Sequence, residues 1–215
     1  MKQPIVYYIS QGTTPEQHLN HIKIMVDAGA DWVQLRLKNT PKKQLLQLAL
    51  SASEYCIKKQ VNFMINDDVE VAKAVNAAGV HLGQKDQDPA LARKILGPSK
   101  IIGGTANTWA DCERLMDKKV DYIGLGPFRF TTTKKTLSPV LGIDAYYNIV
   151  DQMKQKANPI PIVAIGGITL SDIAPLRKTG VWGIALSGFL HQQHNLHHTI
   201  ENIKENFKSP QLYEY

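Results

Sequence analysis

Two aspartates, two kinds of cation and a run of hydroxyls stand at separate places in this 215-residue chain, each at the end of a short apolar run. In Val33-Gln34-Leu35-Arg36-Leu37-Lys38 the residues alternate, so an extended backbone puts Gln34, Arg36 and Lys38 on one side and the aliphatic residues on the other. A lone arginine facing a barrel interior is costly to bury unless an anion meets it. With a phosphorylated ligand the pair is apt: Arg36 can grip oxygens in bidentate fashion and Lys38 adds a mobile point charge. Asp67 and Asp86 also follow apolar runs, and two such carboxylates suit Mg²⁺, which takes one or two acids, waters and substrate phosphates. Asp68, next to Asp67, fits a helix N-cap.

The stretch Gly124–Lys135 holds Thr131, Thr132, Thr133 and Lys134 behind glycines that allow close backbone approach, a phosphate-binding composition. Gly166-Gly167 and Ser187-Gly188 follow two later apolar runs and fit a backbone phosphate site. Thr105 ends another run. His81, inside Val80-His81-Leu82, reads equally as a barrel-interior residue or a ligand contact. Such a set is suited to metal-assisted chemistry on phosphorylated substrates.

These groups can act together only if the runs that carry them converge. The chain alternates β-rich runs with helical patterns, the mark of βα units on a parallel sheet. Strands are expected at Ile5–Ile9, Trp32–Arg36, Asn62–Ile65, Gly79–Leu82, Ile101–Gly104, Tyr122–Gly124, Pro161–Ile165 and Gly183–Leu186. Helices are expected at Thr14–Ala28, Lys42–Lys59, Val69–Ala77, Pro89–Leu96, Thr108–Lys118, Ile143–Gln155, Ser171–Lys178 and Asn195–Phe207. Eight such units in a chain of this length indicate one (β/α)8 TIM barrel domain, with 208–215 as a flexible tail. A doubly wound open sheet fits less well, because it gathers ligand groups at one switch point whereas polar clusters here follow nearly every strand.

Composition narrows the rest. No apolar segment approaches the ~20 residues of a membrane helix, and Met1-Lys2-Gln3-Pro4 lacks the pattern of a secretion signal. Cys56 and Cys112 fit helix packing rather than a disulfide, so a cytoplasmic setting is expected. The net charge of +6 suits anionic ligands, yet the lysines are scattered over helix faces with no basic stripe for nucleic acid. Phosphorylated small molecules are the expected partners, with a homo-oligomer left open. His194, His197 and His198 have a metal-like spacing, but lack an acid or thiolate nearby and read as an exposed helix start.

Val33–Lys38, Ile65-Asn66-Asp67-Asp68-Val69, Gly79–Asp86, Gly124-Leu125-Gly126-Pro127, Thr131–Lys135 and Ile165-Gly166-Gly167-Ile168 together resemble the thiamine-phosphate synthase family over nearly the whole chain. The resemblance implies a (β/α)8 barrel and a transferase that joins an aminopyrimidine diphosphate to thiazole phosphate, expelling pyrophosphate. It further implies that Gln34, Leu35, Arg36, Leu37, Lys38, Asn66 and Lys134 contact the pyrimidine diphosphate, with Arg36, Lys38 and Lys134 on its pyrophosphate. Asp67 and Asp86 would hold Mg²⁺. Thr131, Thr132 and Thr133 would take the thiazole phosphate with Gly167, Ser187 and Gly188. Three positions depart from the family pattern: Leu37 replaces a frequent acid, Thr105 replaces a serine, and Leu186-Ser187-Gly188 leaves open which residue donates. A thiazole tautomerase on the same barrel, a phosphosugar isomerase or lyase, and a non-catalytic phosphate-ligand protein are the competing readings.

Overall fold

The structure, a computed structural model, describes residues 6–130 and 139–207. Its strands are β1 (Val6–Ile9), β2 (Trp32–Leu35), β3 (Asn62–Asn66), β4 (Gly79–Leu82), β5 (Ile101–Ala106), β6 (Tyr122–Leu125), β7 (Ile162–Ile165) and β8 (Gly183–Leu186). All pair in parallel with their sequence neighbours, and β8 returns to β1 through Val6–Ile184, closing the barrel. The helices are α1 (Pro15–Asp27), α2 (Lys42–Lys58), α3 (Val69–Ala74), α4 (Pro89–Leu96), α5 (Trp109–Asp117), α6 (Gly142–Lys154), α7 (Ile173–Thr179), α8 (Gly188–His191) and α9 (Leu196–Phe207). The expected tail at 208–215 lies outside the described residues.

Period-two alternation sorts each strand into two layers. Tyr7, Ile9, Trp32, Met64, Tyr122, Val163 and Ala185 fill the barrel interior. Their strand neighbours, among them Tyr8, Val33, Leu35, Ile65 and Ile123, pack outward against the helices. Cys56 and Cys112 are free and buried in that outer layer, where burial pushes each thiol up to about 12.

Local signals set the helix starts. Thr14 caps α1 with Pro15 in its first turn, and Asp68 caps α3 by accepting from the Val71 N–H at 2.9 Å. Thr108 and Asp111 form a reciprocal capping box on α5. Several boundaries differ from expectation. β2 stops at Leu35, one residue early; α3 ends at Ala74, with Asn76 at φ 52° in the left-handed region; and α8 is an extra short helix. Helix α7 begins after a 3₁₀ turn at Leu170–Asp172, which a second capping box, Thr169 with Asp172, opens.

Candidate active site

The C-terminal strand ends gather most of the expected residues at one mouth. At the β2 exit the ladder with β1 is prolonged by a side chain: the Arg36 N–H donates to Ser10 Oγ at 2.9 Å. With that oxygen accepting, the Ser10 hydroxyl is free to donate to His18 Nδ1, 2.8 Å away. His18 is held below the ordinary imidazole value by burial, with smaller pushes from His21 and Arg36 against a hydrogen bond that its ring donates to the Gly12 main chain. Ser10 and His18 therefore fix where the chain leaves β2 and begins the Arg36–Lys38 segment.

Of that segment's neighbours, Gln34 is 1% exposed and points into the barrel, whereas the Leu35 and Leu37 side chains pack in the outer layer. Contacts from those two leucines toward the mouth are limited to main-chain atoms. Lys38 reaches across to the β3 exit, where its ammonium lies 2.9 Å from Asp67 Oδ2.

Asp67 adopts φ 67°, a left-handed conformation unusual for a non-glycine residue. Its N–H still donates to the His81 carbonyl at 2.9 Å, so the turn is tied to β4 while the carboxylate swings over the mouth. Asp86 sits in the turn after β4, and its Oδ2 accepts from the Gly83 N–H at 2.6 Å. The Asp67 and Asp86 carboxyl groups lie close enough to act on one another. Asp86 is accordingly held above the ordinary carboxylate value, first by burial and then by Asp67, against the Gly83 N–H and the Lys38 charge. Asn66 ends β3 beside them, in register with His81.

On the opposite side, main chain dominates. After β6 the strand pairing with β7 is extended by Phe128 N–H to Ile165 O (2.8 Å) and Arg129 N–H to Gly166 O (2.9 Å). Gly167 has φ 67°, and a methyl group on it would stand 2.7 Å from the Phe130 carbonyl oxygen and 2.9 Å from Arg129 Cβ. Asn107 Nδ2 donates to both Gly126 O (3.0 Å) and Pro139 O (2.8 Å), holding the two stems of the β6–α6 connection together. Arg129 pairs with the buried Asp172 at 2.6 Å. Thr131, Thr132, Thr133 and Lys134 lie outside the described residues. Ser187 donates from Oγ to Ile9 O at 2.8 Å, joining β8 to β1, and Gly188 opens α8 next to it.

A family profile described as thiamine monophosphate synthase matches residues 6–189. The chain belongs to that family. A thiamine-phosphate synthase of Flavobacterium psychrophilum is 48% identical over 188 residues, 87% of this chain and 91% of the relative. One of Phocaeicola vulgatus is 48% identical over 181 residues, 84% and 87% of the two chains. Among solved structures, the thiamine phosphate pyrophosphorylase of Pyrococcus furiosus superposes with a TM-score of 0.80 at 26% identity, covering 95% of this chain and 96% of that one. Membership in the thiamine monophosphate synthase family makes the chain a transferase acting on phosphorylated small molecules, and sets aside the phosphosugar-enzyme reading of the barrel.

Several residues at this site escaped sequence reasoning. Tyr7, Tyr122 and Ser10 touch expected site residues, and His18 holds Ser10. Adjacent tyrosines in the alternating Val6-Tyr7-Tyr8-Ile9 were a usable signal, since one of the two has to face inward. Of the histidines near the C-terminus, His191 meets Tyr8 OH at 2.8 Å, and His197 lies 3.4 Å from Glu201, so an acid does stand near it, contrary to the sequence expectation. Among the described residues no three His, Cys, Asp or Glu side chains group as a metal site, so a cation here would rest on two carboxylates. No helix of the described residues is long and apolar enough to cross a membrane.

Proposed function

We propose that the chain acts as a thiamine-phosphate synthase, coupling 4-amino-2-methyl-5-(diphosphooxymethyl)pyrimidine to thiazole phosphate and releasing pyrophosphate. The observation that carries this reading is the meeting of the Asp67 and Asp86 carboxyl groups beside the Lys38 ammonium, on the strand ends next to Arg36. Two carboxylates brought close together fit a hard divalent cation, which would offset their mutual repulsion and leave positions for diphosphate oxygens. Mg²⁺ held by Asp67 and Asp86 would supply Lewis-acid stabilisation of the departing pyrophosphate.

The chain's own groups do the rest. Arg36, Lys38 and Lys134 receive the negative charge that grows on the leaving group as its C–O bond breaks, a preorganised electrostatic role. Asn66, Thr105 and the main chain of Gln34–Lys38 position the pyrimidine. Thr131, Thr132 and Thr133, with the backbone at Gly167 and the Ser187–Gly188 turn, hold the thiazole phosphate. The attacking thiazole nitrogen offers a lone pair and has no proton to lose, so no general base is needed for this step. Holding the two substrates face to face can account for up to ~7–11 kcal/mol of the barrier. Two buried, unpaired thiols fit a reducing, cytoplasmic setting.

The decisive assay is pyrophosphate release on mixing the purified chain with both substrates and Mg²⁺. Release that needs both substrates, stops with EDTA and returns with added Mg²⁺ is the expected result. Isomerisation of a thiazole phosphate alone, with no pyrophosphate formed, would point instead to the tautomerase reading. Full activity after exhaustive chelation would remove the metal role.

A further inference from the structure

Beneath the mouth, five polar side chains from five strands or strand ends form one continuous hydrogen-bonded chain. Gln34 Nε2 donates to Tyr7 OH at 2.5 Å. Tyr7 OH lies 3.2 Å from Tyr122 OH, which lies 2.8 Å from His81 Nδ1. His81 Nε2 lies 2.9 Å from Thr105 Oγ1. Tyr7 and Tyr122 are wholly buried, and Thr105, half-buried at the end of β5, is the member at the mouth. Their register makes room for the rings: a Cβ on Gly103 would stand 2.1 Å from Tyr122 Cζ, and one on Gly124 would stand 2.9 Å from His81 Cε1.

Counting protons gives this chain a direction. The Gln34 amide is assigned with its nitrogen toward Tyr7, and an N–H can only donate. Tyr7, buried and with no other acceptor for its hydroxyl among the described residues, then passes its single proton to Tyr122, and Tyr122 its own to His81 Nδ1. A neutral imidazole has one N–H, which is left on Nε2 and donates to Thr105 Oγ1. Burial raises both phenols well above the usual tyrosine value, so neither gives up its proton to solvent. The Thr105 hydroxyl accepts from below and retains its own proton for whatever lies in the mouth.

We propose that the Gln34–Tyr7–Tyr122–His81 relay orients Thr105 as an obligate hydrogen-bond donor, so that the site selects a heteroaromatic ring presenting a bare ring nitrogen as acceptor. The proposal rests on the pyrimidine site put forward above, and assigns Thr105 its partner there: an aminopyrimidine ring nitrogen. Tyr7, Tyr122 and His81 are then positioning residues. They act through Thr105, and deletion of any link frees the hydroxyl to turn around and present a lone pair.

The direct test reads the relay without catalysis. In a ¹⁵N-histidine-labelled protein, with the His81 signals assigned by difference from His81→Gln, wild type should show a pyridine-type shift at Nδ1 and a pyrrole-type shift at Nε2. Gln34→Glu replaces the only donor at the foot of the chain by an acceptor and should reverse the pattern. A pyrrole-type Nδ1 in the wild-type protein would overturn the proposal. In kinetics, Tyr122→Phe, which keeps the packing and removes one proton carrier, should raise KM for the pyrimidine diphosphate by about tenfold, the scale of one lost hydrogen bond. KM for thiazole phosphate should stay unchanged. Thr105→Val should show the same loss, Thr105→Ser should recover it, and Tyr122→Phe combined with Thr105→Val should add nothing further. Unchanged pyrimidine affinity in Tyr122→Phe, or full additivity in the double variant, would sink the proposal. If wild type releases no pyrophosphate while its tautomer is as stated, the functional reading fails and the relay stands.

Discussion

The two halves of the mouth are built from different materials. Around the exits of β2 to β5 the working groups are side chains: Lys38 on Asp67, Asp67 on Asp86, Thr105 on His81. Around β6 to β8 the described structure offers main chain, with glycines at 166 and 167 in left-handed conformations and strand pairing prolonged beyond the strand ends. A charged, leaving diphosphate needs compact opposite charge that can be placed to within an ångström. A phosphate that is only held needs N–H groups, which a backbone supplies without side-chain entropy. The contrast implies that the first half governs turnover and the second governs affinity for the second substrate.

The largest effect that would break this division is on turnover. Asp67→Ala and Lys38→Ala should each lower kcat by at least ~100-fold at saturating substrates and Mg²⁺, the scale of a lost preorganised electrostatic group. Near-normal rates in both would remove the charged half from the chemistry. A smaller effect separates the halves. Gly167→Ala puts a methyl group against the Phe130 carbonyl at a φ that L-residues resist, and should raise KM for thiazole phosphate about tenfold. Its KM for the pyrimidine diphosphate should hold. Equal losses for both substrates would mean that the halves are not independent.

The smallest effect concerns stability. Burial alone would raise the Asp111 carboxyl, but the Asn107 and Thr108 N–H groups, the Thr108 hydroxyl and Arg114 outweigh it and hold it below the ordinary value. A depressed carboxylate stabilises the fold above its unfolded-state pKa, and that contribution fades as pH falls through the folded value. Asp111→Asn should therefore cost about 1 kcal/mol at neutral pH, the worth of a capping interaction, with the deficit shrinking in acid. Thermal melts of both proteins across that range check it; a deficit that does not change with pH would contradict the ion's role.

The two halves also differed in how far the residues alone revealed them. Charge, alternation and strand spacing placed Arg36, Lys38, Asp67 and Asp86 around one mouth, because each follows an apolar run and parallel strands leave little freedom about where such runs end. The glycine turns at 166–167 were legible for a similar reason. The relay under Thr105 was not, since it depends on register across β1, β2, β4, β5 and β6 at once, and single tyrosines in buried runs look like ordinary core. Ser10 and His18 were missed because a serine and a helix histidine announce nothing until the Arg36 N–H is seen to need an acceptor.

If the proposed function holds, Asp67 and Asp86 serve one cation between them, with the diphosphate grip built around it. A crystal structure of the chain soaked with Mg²⁺ and pyrophosphate tests this most directly. One ion bound by both carboxylates and by pyrophosphate oxygens, with Arg36, Lys38 and Lys134 on the same pyrophosphate, is the expected result. An ion held away from either aspartate, or pyrophosphate bound at the β7–β8 glycines instead, would contradict it.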